Sequence, residues 1–204
     1  MTAADTRRGV DPAGLLALLS SRRVVRNFNS EPVADDQLWM ILEAGRWATC
    51  ASNNRVHRLL VVRDPQRIKL VTDMAPGIFS RPAVMVVICT DMQAVAAAGL
   101  RADVDRTVFI DVGTLMMNMM AQVHALGLGA CPATSFSQAG VGVVLGLPEH
   151  ARPEAILLVG HPADAGPPVP RRPSRPSPLL AKLVQWERYG QAPPVAPVAS
   201  PPCG

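Results

Sequence analysis

The chain has 204 residues, of which 49% are hydrophobic and 18% are charged. That length suffices for one well-buried domain and is too short for two ordinary ones. The net charge of +4 is mild, and no dense run of Lys and Arg indicates nucleic-acid binding. So few charges beside so much apolar content favour the burial of apolar area between subunits.

The spacing of the cysteines and the length of the apolar segments predict where the protein is located and whether it binds a metal. The four cysteines lie far apart and form no CxxC pair, so a metal site and a disulfide framework are both disfavoured. Reduced thiols of this kind are typical of the cytoplasm. The N-terminus lacks the apolar core of a signal peptide, and the apolar run over 115–123 is too short and too polar to span a bilayer. We therefore expect a cytoplasmic protein without a metal or a membrane segment.

The first half of the chain alternates helix and strand signals after a flexible arm over residues 1–10. Asp11 followed by Pro12 is typical of a helix start. Apolar residues at steps of three and four predict the second helix, and a β-branched run predicts a strand buried on both faces. A polar, irregular loop is expected over 49–55. In chain order the predicted elements are a helix from 12 that ends within 20–23, a helix over 35–48, a strand over 59–62, a helix over 66–74 and a strand over 83–89.

The second half begins with an Ala-rich segment over 92–103 that predicts no definite element. The longest helix is expected over 105–126, ended by the glycines that follow it. Proline excludes regular structure over 166–178. The remaining predicted elements are strands over 130–133 and 155–159 and helices over 137–145 and 179–189. Interleaved helices and strands indicate an α+β or three-layer domain around one central sheet, and neither GxGxxG nor a P-loop motif is present.

Three arginines within five residues are the first candidate for a functional site. Arg22, Arg23 and Arg26 follow the first predicted helix. The planar guanidinium donates two parallel hydrogen bonds to a phosphate, so such a cluster suits an anion. A solvated basic helix end, where Arg complements the helix dipole, explains the same spacing. On spacing alone the solvated helix end is the simpler interpretation.

Three further segments could contact a ligand, and each also has an ordinary structural explanation. The loop with Ser52, Asn53 and Arg55 can hydrogen-bond carbonyls and hydroxyls, but turns favour the same residues. Small residues over 127–136 let the backbone approach a planar ligand, or simply end a helix before a strand. The basic stretch over 171–175 can meet an anion or act as a solvated linker. No histidine is placed to activate Cys131, so a catalytic thiol is disfavoured.

Four motifs in order resemble one family of proteins. The segment RRVVRNFNSEPV resembles RRSVRxFxxxPV of the nitroreductase-like FMN flavoproteins, and ATCASNNRVHRLLVV matches APSxxNxQPWxFVVV in part. The run from GLGACPATSF to LGLPEHARPEAILLVGHPA is similar to the family's GLG…LGLPxxxxPxxxxxxGxPA. The closing PLLAKLVQWERYG is similar to PLxELVHWERYG. The resemblance extends over about residues 15–189.

The resemblance implies an α+β fold with helices flanking a central mixed sheet, in an intertwined homodimer with FMN at the subunit interface. It implies an FMN-binding oxidoreductase domain over 11–190. The Pro/Ala-rich composition of residues 191–204 predicts a disordered tail. The flavin would carry hydride to or from a small organic substrate, with NAD(P)H as an electron source. The cofactor contacts that it implies are Arg22, Arg23, Val24 and Arg26, then Ser52, Asn53 and Arg55 from the second subunit, then Pro132, Ala133, Thr134 and Ser135, and finally Arg172 or Arg175.

This sequence also departs from the family pattern. Val24 replaces the usual Ser, and Arg55, Val56 and His57 stand where Gln, Pro and Trp are common. The segments APGIFSRPAVMVVICTD, GLGACPATSF and LGLPEH resemble the large subunit of cyclodipeptide oxidases. That similarity implies desaturation of a cyclic dipeptide in natural-product biosynthesis, with oxygen as acceptor and a small second subunit.

Three functions therefore stay open from the sequence: an NAD(P)H-dependent nitro or quinone reductase, an oxygen-dependent oxidase, and a non-catalytic flavin-binding protein. Nucleic-acid binding is disfavoured, because one Tyr and four Phe leave few rings for base stacking.

Overall fold

The computed structural model describes residue 9 and residues 11–102, 105–163 and 183–192. The chain divides into two compact units, Met1–Val169 and Pro170–Gly204. Apart from Gly9, the predicted N-terminal arm lies outside the described residues, as does the predicted tail from 193 onward. No helix in the described ranges is long and apolar enough to cross a membrane.

A four-stranded sheet forms the centre of the first unit. Its strands are β1 (His57–Val62), β2 (Val84–Asp91), β3 (Gly129–Ala133) and β4 (Ala151–Gly160), in the order β1-β2-β4-β3. The α+β class is confirmed. The prediction of a mixed sheet is wrong for the described strands, because all three pairings are antiparallel.

The connection between the first two strands shows why they pair antiparallel. Val62 ends β1 and lies opposite Met85, near the start of β2. The intervening helix and loop therefore return the chain to the same end of the sheet, which makes the strands antiparallel. A helix between two strands in the sequence is also found in parallel crossovers, so only the path of the connection distinguishes the two arrangements.

Helices cover both faces of the sheet. Their N-caps follow the sequence: the Asp11 carboxylate accepts hydrogen bonds from Ala13 N and Gly14 N at 3.0 Å, and the Ser137 hydroxyl accepts one from Gly140 N at 3.1 Å. The helices are α1 (Pro12–Ser21), α2 (Asp35–Arg46), α3 (Pro65–Asp73), α4 (Met92–Ala97), α5 (Arg106–Ala125) and α6 (Gln138–Leu145). The predicted polar loop contains a 3₁₀ turn, Ala51–Asn53.

Alternation along β2 divides the core into two layers. Val86 and Ile88 face the cluster that holds α2 and α5, whereas Met85 and Val87 face the cluster that holds α3 and α6. Every residue of β2 from 84 to 90 is buried, as the continuous β-branched run predicts.

Two predicted elements differ most from the structure. β4 begins at Ala151, four residues before its apolar run, and a bulge opposite Ile88 and Cys89 absorbs one residue of β4. The helix predicted over 179–189 is wrong for residues 184–189, since residues 184–186 have no regular secondary structure and residues 187–190 form bends and turns. Glu187 there has a φ of 58°, which a right-handed helix excludes. Residues 179–182 lie outside the described part.

Candidate functional site

The arginine segment lies along the free edge of β3. Val25 N donates to Ala130 O at 2.9 Å, and further along Asn29 N donates to His161 O at 3.0 Å. At Gly129 a Cβ would lie 2.7 Å from Val25 Cβ, so the close contact requires glycine. The structure thus brings the first and third predicted segments, residues 22–26 and 127–136, together.

The three arginines of that segment have different surroundings. Arg22 is half-buried, and its Nε and Nη1 atoms are buried without a hydrogen-bond partner among the described residues. Arg23 Nη1 donates to Ser20 O at 2.7 Å and to Arg22 O at 3.0 Å, so it bonds the carbonyls at the end of α1. Arg26 is exposed and lies close enough to Cys131 to affect its thiol. The helix-end interpretation fits Arg23, and the anion interpretation fits Arg22.

The unpartnered nitrogens of Arg22 are the test of whether a phosphate fits here. Leaving buried charged donors without acceptors costs more than an ordinary lost hydrogen bond. A phosphate beside Arg22 would accept from both atoms at once. Val24 packs against both apolar clusters and offers no hydroxyl, so its side chain anchors the segment in the core.

The end of β3 presents small and polar residues to solvent. Pro132, Thr134 and Ser135 are exposed, whereas Ala133 is buried. Burial raises the pKa of the Cys131 thiol, and the positive charge of Arg26 only partly offsets this. A thiol with a raised pKa is a poor nucleophile at neutral pH. The surface around Pro132 is thus open for a flat ligand and lacks a reactive cysteine.

The polar loop has an uncommon backbone conformation. Ser52 and Asn53 have φ angles of 49° and 56°, in the left-handed region, and both side chains are exposed. Arg55 braces the loop, since its Nη1 donates to Arg46 O at 2.5 Å and its Nε donates to Asn53 Oδ1 at 3.2 Å. Non-glycine residues hold such angles only where their surroundings impose them, which is common at ligand sites.

Within one chain this loop and the arginine segment contact opposite ends of α5. Ala51 N bonds the Asp111 carboxylate at 3.2 Å, whereas Ser21 Oγ lies 2.9 Å from His124 Nε2. At 1.5 Å per residue, the 13 positions from Asp111 to His124 correspond to about 20 Å along the helix. A single chain therefore does not bring Ser52 and Asn53 beside Arg22.

Two of the predicted cofactor residues lie outside the described residues. Arg172 and Arg175 fall in the part of the chain that the structure does not describe. Within the described ranges, no group of three or more His, Cys, Asp and Glu side chains is arranged to hold a metal ion.

A polar row under the first turns of α5 was missed by the sequence. His57, Thr90 and Arg152 lie directly opposite one another on β1, β2 and β4. His57 Nδ1 is 3.3 Å from Thr90 Oγ1, and Arg152 Nε donates to Glu154 at 2.7 Å. Burial lowers the pKa of His57, and the charges of Asp111 and Glu154 only partly offset this. These residues are neighbours only because of the register of the three strands. The local sequence therefore does not predict that they lie together.

Large apolar side chains remain exposed on several helices, among them α1 and α5. α1 has no buried residue, and it exposes Leu15, Leu16 and Leu19. The outer face of α5 exposes Phe109, Ile110 and Met117. An open groove of about 570 Å³ between α2 and α5 contains none of the predicted cofactor residues; it is lined by Trp39, Met40, Glu43, Ala44, Trp47 and Gln122. Exposed apolar helix faces of this kind are typical of interaction surfaces.

Comparisons with known proteins agree with this architecture. The nitroreductase family profile matches residues 19–78 and 71–161. The chain is 28% identical to a Thermus thermophilus NADH dehydrogenase over 81% of its length and 92% of that protein. It is also 28% identical to a Bacillus subtilis FMN reductase [NAD(P)H], over 76% of the chain and 68% of the relative.

A solved structure shows the same similarity in three dimensions. The NADPH:FMN oxidoreductase from Vibrio harveyi, complexed with NAD+, superimposes with a TM-score of 0.71 at 25% identity, over 87% of this chain and 78% of that one. The profile covers well over half of the sequence, and the motifs that carry the resemblance fall on the segments described above. The chain belongs to the nitroreductase family.

Proposed function

We propose that the protein is an FMN-dependent oxidoreductase that transfers hydride between the flavin and a small organic substrate. The observation that carries the proposal is Arg22, whose Nε and Nη1 are buried without a described acceptor beside an exposed, small-residue edge. The relatives named FMN reductase and NADPH-flavin oxidoreductase support the choice of flavin.

The chain's own residues would bind and orient the cofactor. Arg22 and Arg26 would hold the phosphate. The edge from Pro132 to Ser135 would lie behind the ring. Bound FMN would supply the hydride chemistry, and the protein would exclude water and set the orientation of the substrate.

We infer that the complete site needs two copies of the chain. Ser52, Asn53 and Arg55 lie about 20 Å along α5 from the contact near Arg22, by the rise of a helix. A flavin bound at Arg22 in one copy would meet these residues only from a second copy. The exposed apolar faces of α1 and α5 offer the area that such a homodimer would bury.

Purification and flavin titration test the proposal. We expect a yellow protein that releases FMN on denaturation, and rapid bleaching of the bound flavin on anaerobic mixing with NADPH. A colourless protein that does not bind added FMN would overturn the proposal.

Subunit mixing tests the two-copy site. An Arg22→Met homodimer and an Asn53→Ala homodimer should each bind FMN weakly. After unfolding and refolding together, the hybrid should regain one intact site of two. No recovery in a mixture shown to form hybrids would mean that both residues serve a site within one chain.

An oxidase related to the cyclodipeptide oxidases is the second candidate. The observation that favours it is the loop itself, where Arg55 bonds the backbone of α2 and His57 joins the polar row with Thr90 and Arg152, in place of the family's common Gln and Trp. For such an oxidase we expect that NADPH does not bleach the bound flavin and that a cyclic dipeptide leads to formation of hydrogen peroxide. We also expect that activity requires a small second subunit. If neither NADPH nor a cyclic dipeptide reduces the bound flavin, the result favours a non-catalytic flavin-binding protein.

A further inference from the structure

Two side chains of α5 attach the polar loop to the core. Ala51 N lies 3.2 Å from each carboxylate oxygen of Asp111. One turn later, Thr114 Oγ1 lies 2.9 Å from Thr49 O and donates to it or, at the same distance, to Asp111 O. These bonds hold the first residue of the 3₁₀ turn and the residue two positions before it. The start of the turn is therefore fixed to α5, which is itself packed on the sheet.

The loop needs such an attachment because its backbone is strained. Ser52 and Asn53 follow Ala51 directly and are both left-handed. Within the turn, the supporting backbone bonds are Asn53 N to Cys50 O at 3.3 Å and Asn54 N to Ala51 O at 2.9 Å. A strained conformation persists only where the surroundings over-determine it. Asp111 and Thr114 provide that constraint from outside the loop.

Asp111 is an uncommon group for the position it occupies. The residue is 6% exposed, and Thr90 is the other buried polar residue in the described core. The charged groups whose fields act at the neighbouring His57 are Asp111, Glu154 and Arg58, and burial lowers the pKa of that imidazole. Burying a carboxylate costs desolvation free energy, which only its hydrogen bonds offset. The bonds from Asp111 to the loop are therefore a reason for a carboxylate at this position.

We propose that Asp111 is a positioning residue, which with Thr114 holds Ser52 and Asn53 in the left-handed geometry that presents them to the flavin of the proposed site. The inference rests on the proposed function for the identity of the ligand. The attachment of the loop to α5 does not depend on that identity.

The experiment compares loop order and flavin affinity in the full-length protein. Amide hydrogen exchange of residues 49–54 is measured without flavin, and the FMN dissociation constant is measured by fluorescence quenching. Asp111→Ala should increase the exchange rate of the loop amides and the FMN dissociation constant, each by about tenfold. That factor corresponds to the lower end of the free energy of one hydrogen bond to a charged group. Asp111→Asn keeps an acceptor oxygen and should recover part of both effects. Thr114→Val should act in the same direction.

Asn118→Ala is the matched control. Asn118 Nδ2 donates to Ala44 O at 3.2 Å, so the variant removes a similar bond between α5 and another element, away from the loop. It should leave loop exchange and FMN affinity unchanged. Unchanged loop exchange in Asp111→Ala would overturn the inference, as would a loosened loop with unchanged FMN affinity. If the wild type binds no FMN, the proposed function fails, and the exchange comparison still decides whether Asp111 holds the loop.

Discussion

At the scale of the residue, one amino-acid type takes different roles according to its neighbours. Arg23 bonds carbonyls at the end of α1, whereas Arg22, next to it, has two buried nitrogens without a described acceptor. Sequence spacing treated the arginines as one cluster. Their separation into a helix-end residue and a candidate anion ligand needed the path of the segment along β3.

Arg22→Met separates these roles by keeping the aliphatic stem and removing the guanidinium. We expect FMN affinity to fall by about 1.5–3 kcal/mol, the range for a hydrogen bond to a charged group. The flavin-free variant should be no less stable than wild type, because its buried donors without acceptors are gone. Isothermal titration and thermal unfolding measure the two effects. Arg23→Met is the control, and equal losses of affinity in both variants would contradict the assignment.

His57 predicts a pH dependence of stability. Its pKa in the folded protein is below the ordinary value of 6.5 because of burial, so the unfolded chain takes up the proton first as the pH falls. The contribution of His57 to stability is therefore present above about pH 6.5 and declines as the pH falls below that value toward the folded pKa.

Urea unfolding of wild type and His57→Gln at pH 7.5 and pH 5.5 measures this contribution. The free energy of unfolding should decrease more on acidification in wild type than in the variant, since Gln does not titrate. An equal decrease in both proteins would show that burial of His57 is not the cause.

At the scale of the element, helix and strand signals were reliable where local chemistry sets them. The longest helix was expected over 105–126 and is Arg106–Ala125, because its apolar stripe and the glycines after it are local signals. The predicted helix over 179–189 fails around Glu187, whose left-handed backbone no local pattern indicated. Nor did the sequence place the segment after α1 against β3.

Gly129→Ala tests that contact between elements. The new methyl group would lie 2.7 Å from Val25 Cβ and Cγ1, so the arginine segment must move away from β3. We expect a loss of stability of about 1–3 kcal/mol, typical of overpacking, together with weaker FMN binding. Chemical denaturation and flavin titration measure these effects.

Gly142→Ala is the control for that substitution. A Cβ at Gly142 in α6 would meet no atom within 4 Å, so the variant should gain roughly 0.5–1 kcal/mol from helix propensity. A stability loss at Gly142 equal to that at Gly129 would mean that the contact with Val25 is not responsible.

At the scale of the whole molecule, the exposed apolar faces are the feature that a single chain leaves unexplained. The low charge content predicted apolar area between subunits, and Ile110 on α5 is 59% exposed. Ile110→Asp should produce a monomer, because a charge would be buried in the proposed interface. The monomer should bind FMN at least tenfold more weakly, a loss on the order of 1.4 kcal/mol.

Sedimentation velocity with and without FMN measures both outcomes. Val143→Asp on α6 is the control, since Val143 is 83% exposed and lies on a helix outside the proposed interface. A monomeric variant that keeps wild-type FMN affinity would contradict a site shared between two copies.

The sequence by itself determined the α+β class, most helix and strand positions, the family and the segments that could contact a flavin, because periodicity, caps and motifs are local. The tertiary structure decided the antiparallel pairing, the separate roles of Arg22 and Arg23, and the polar row of His57, Thr90 and Arg152. It also placed Ser52 and Arg22 toward opposite ends of α5. These features depend on strand register and on contacts between residues far apart in the chain, which no local pattern specifies.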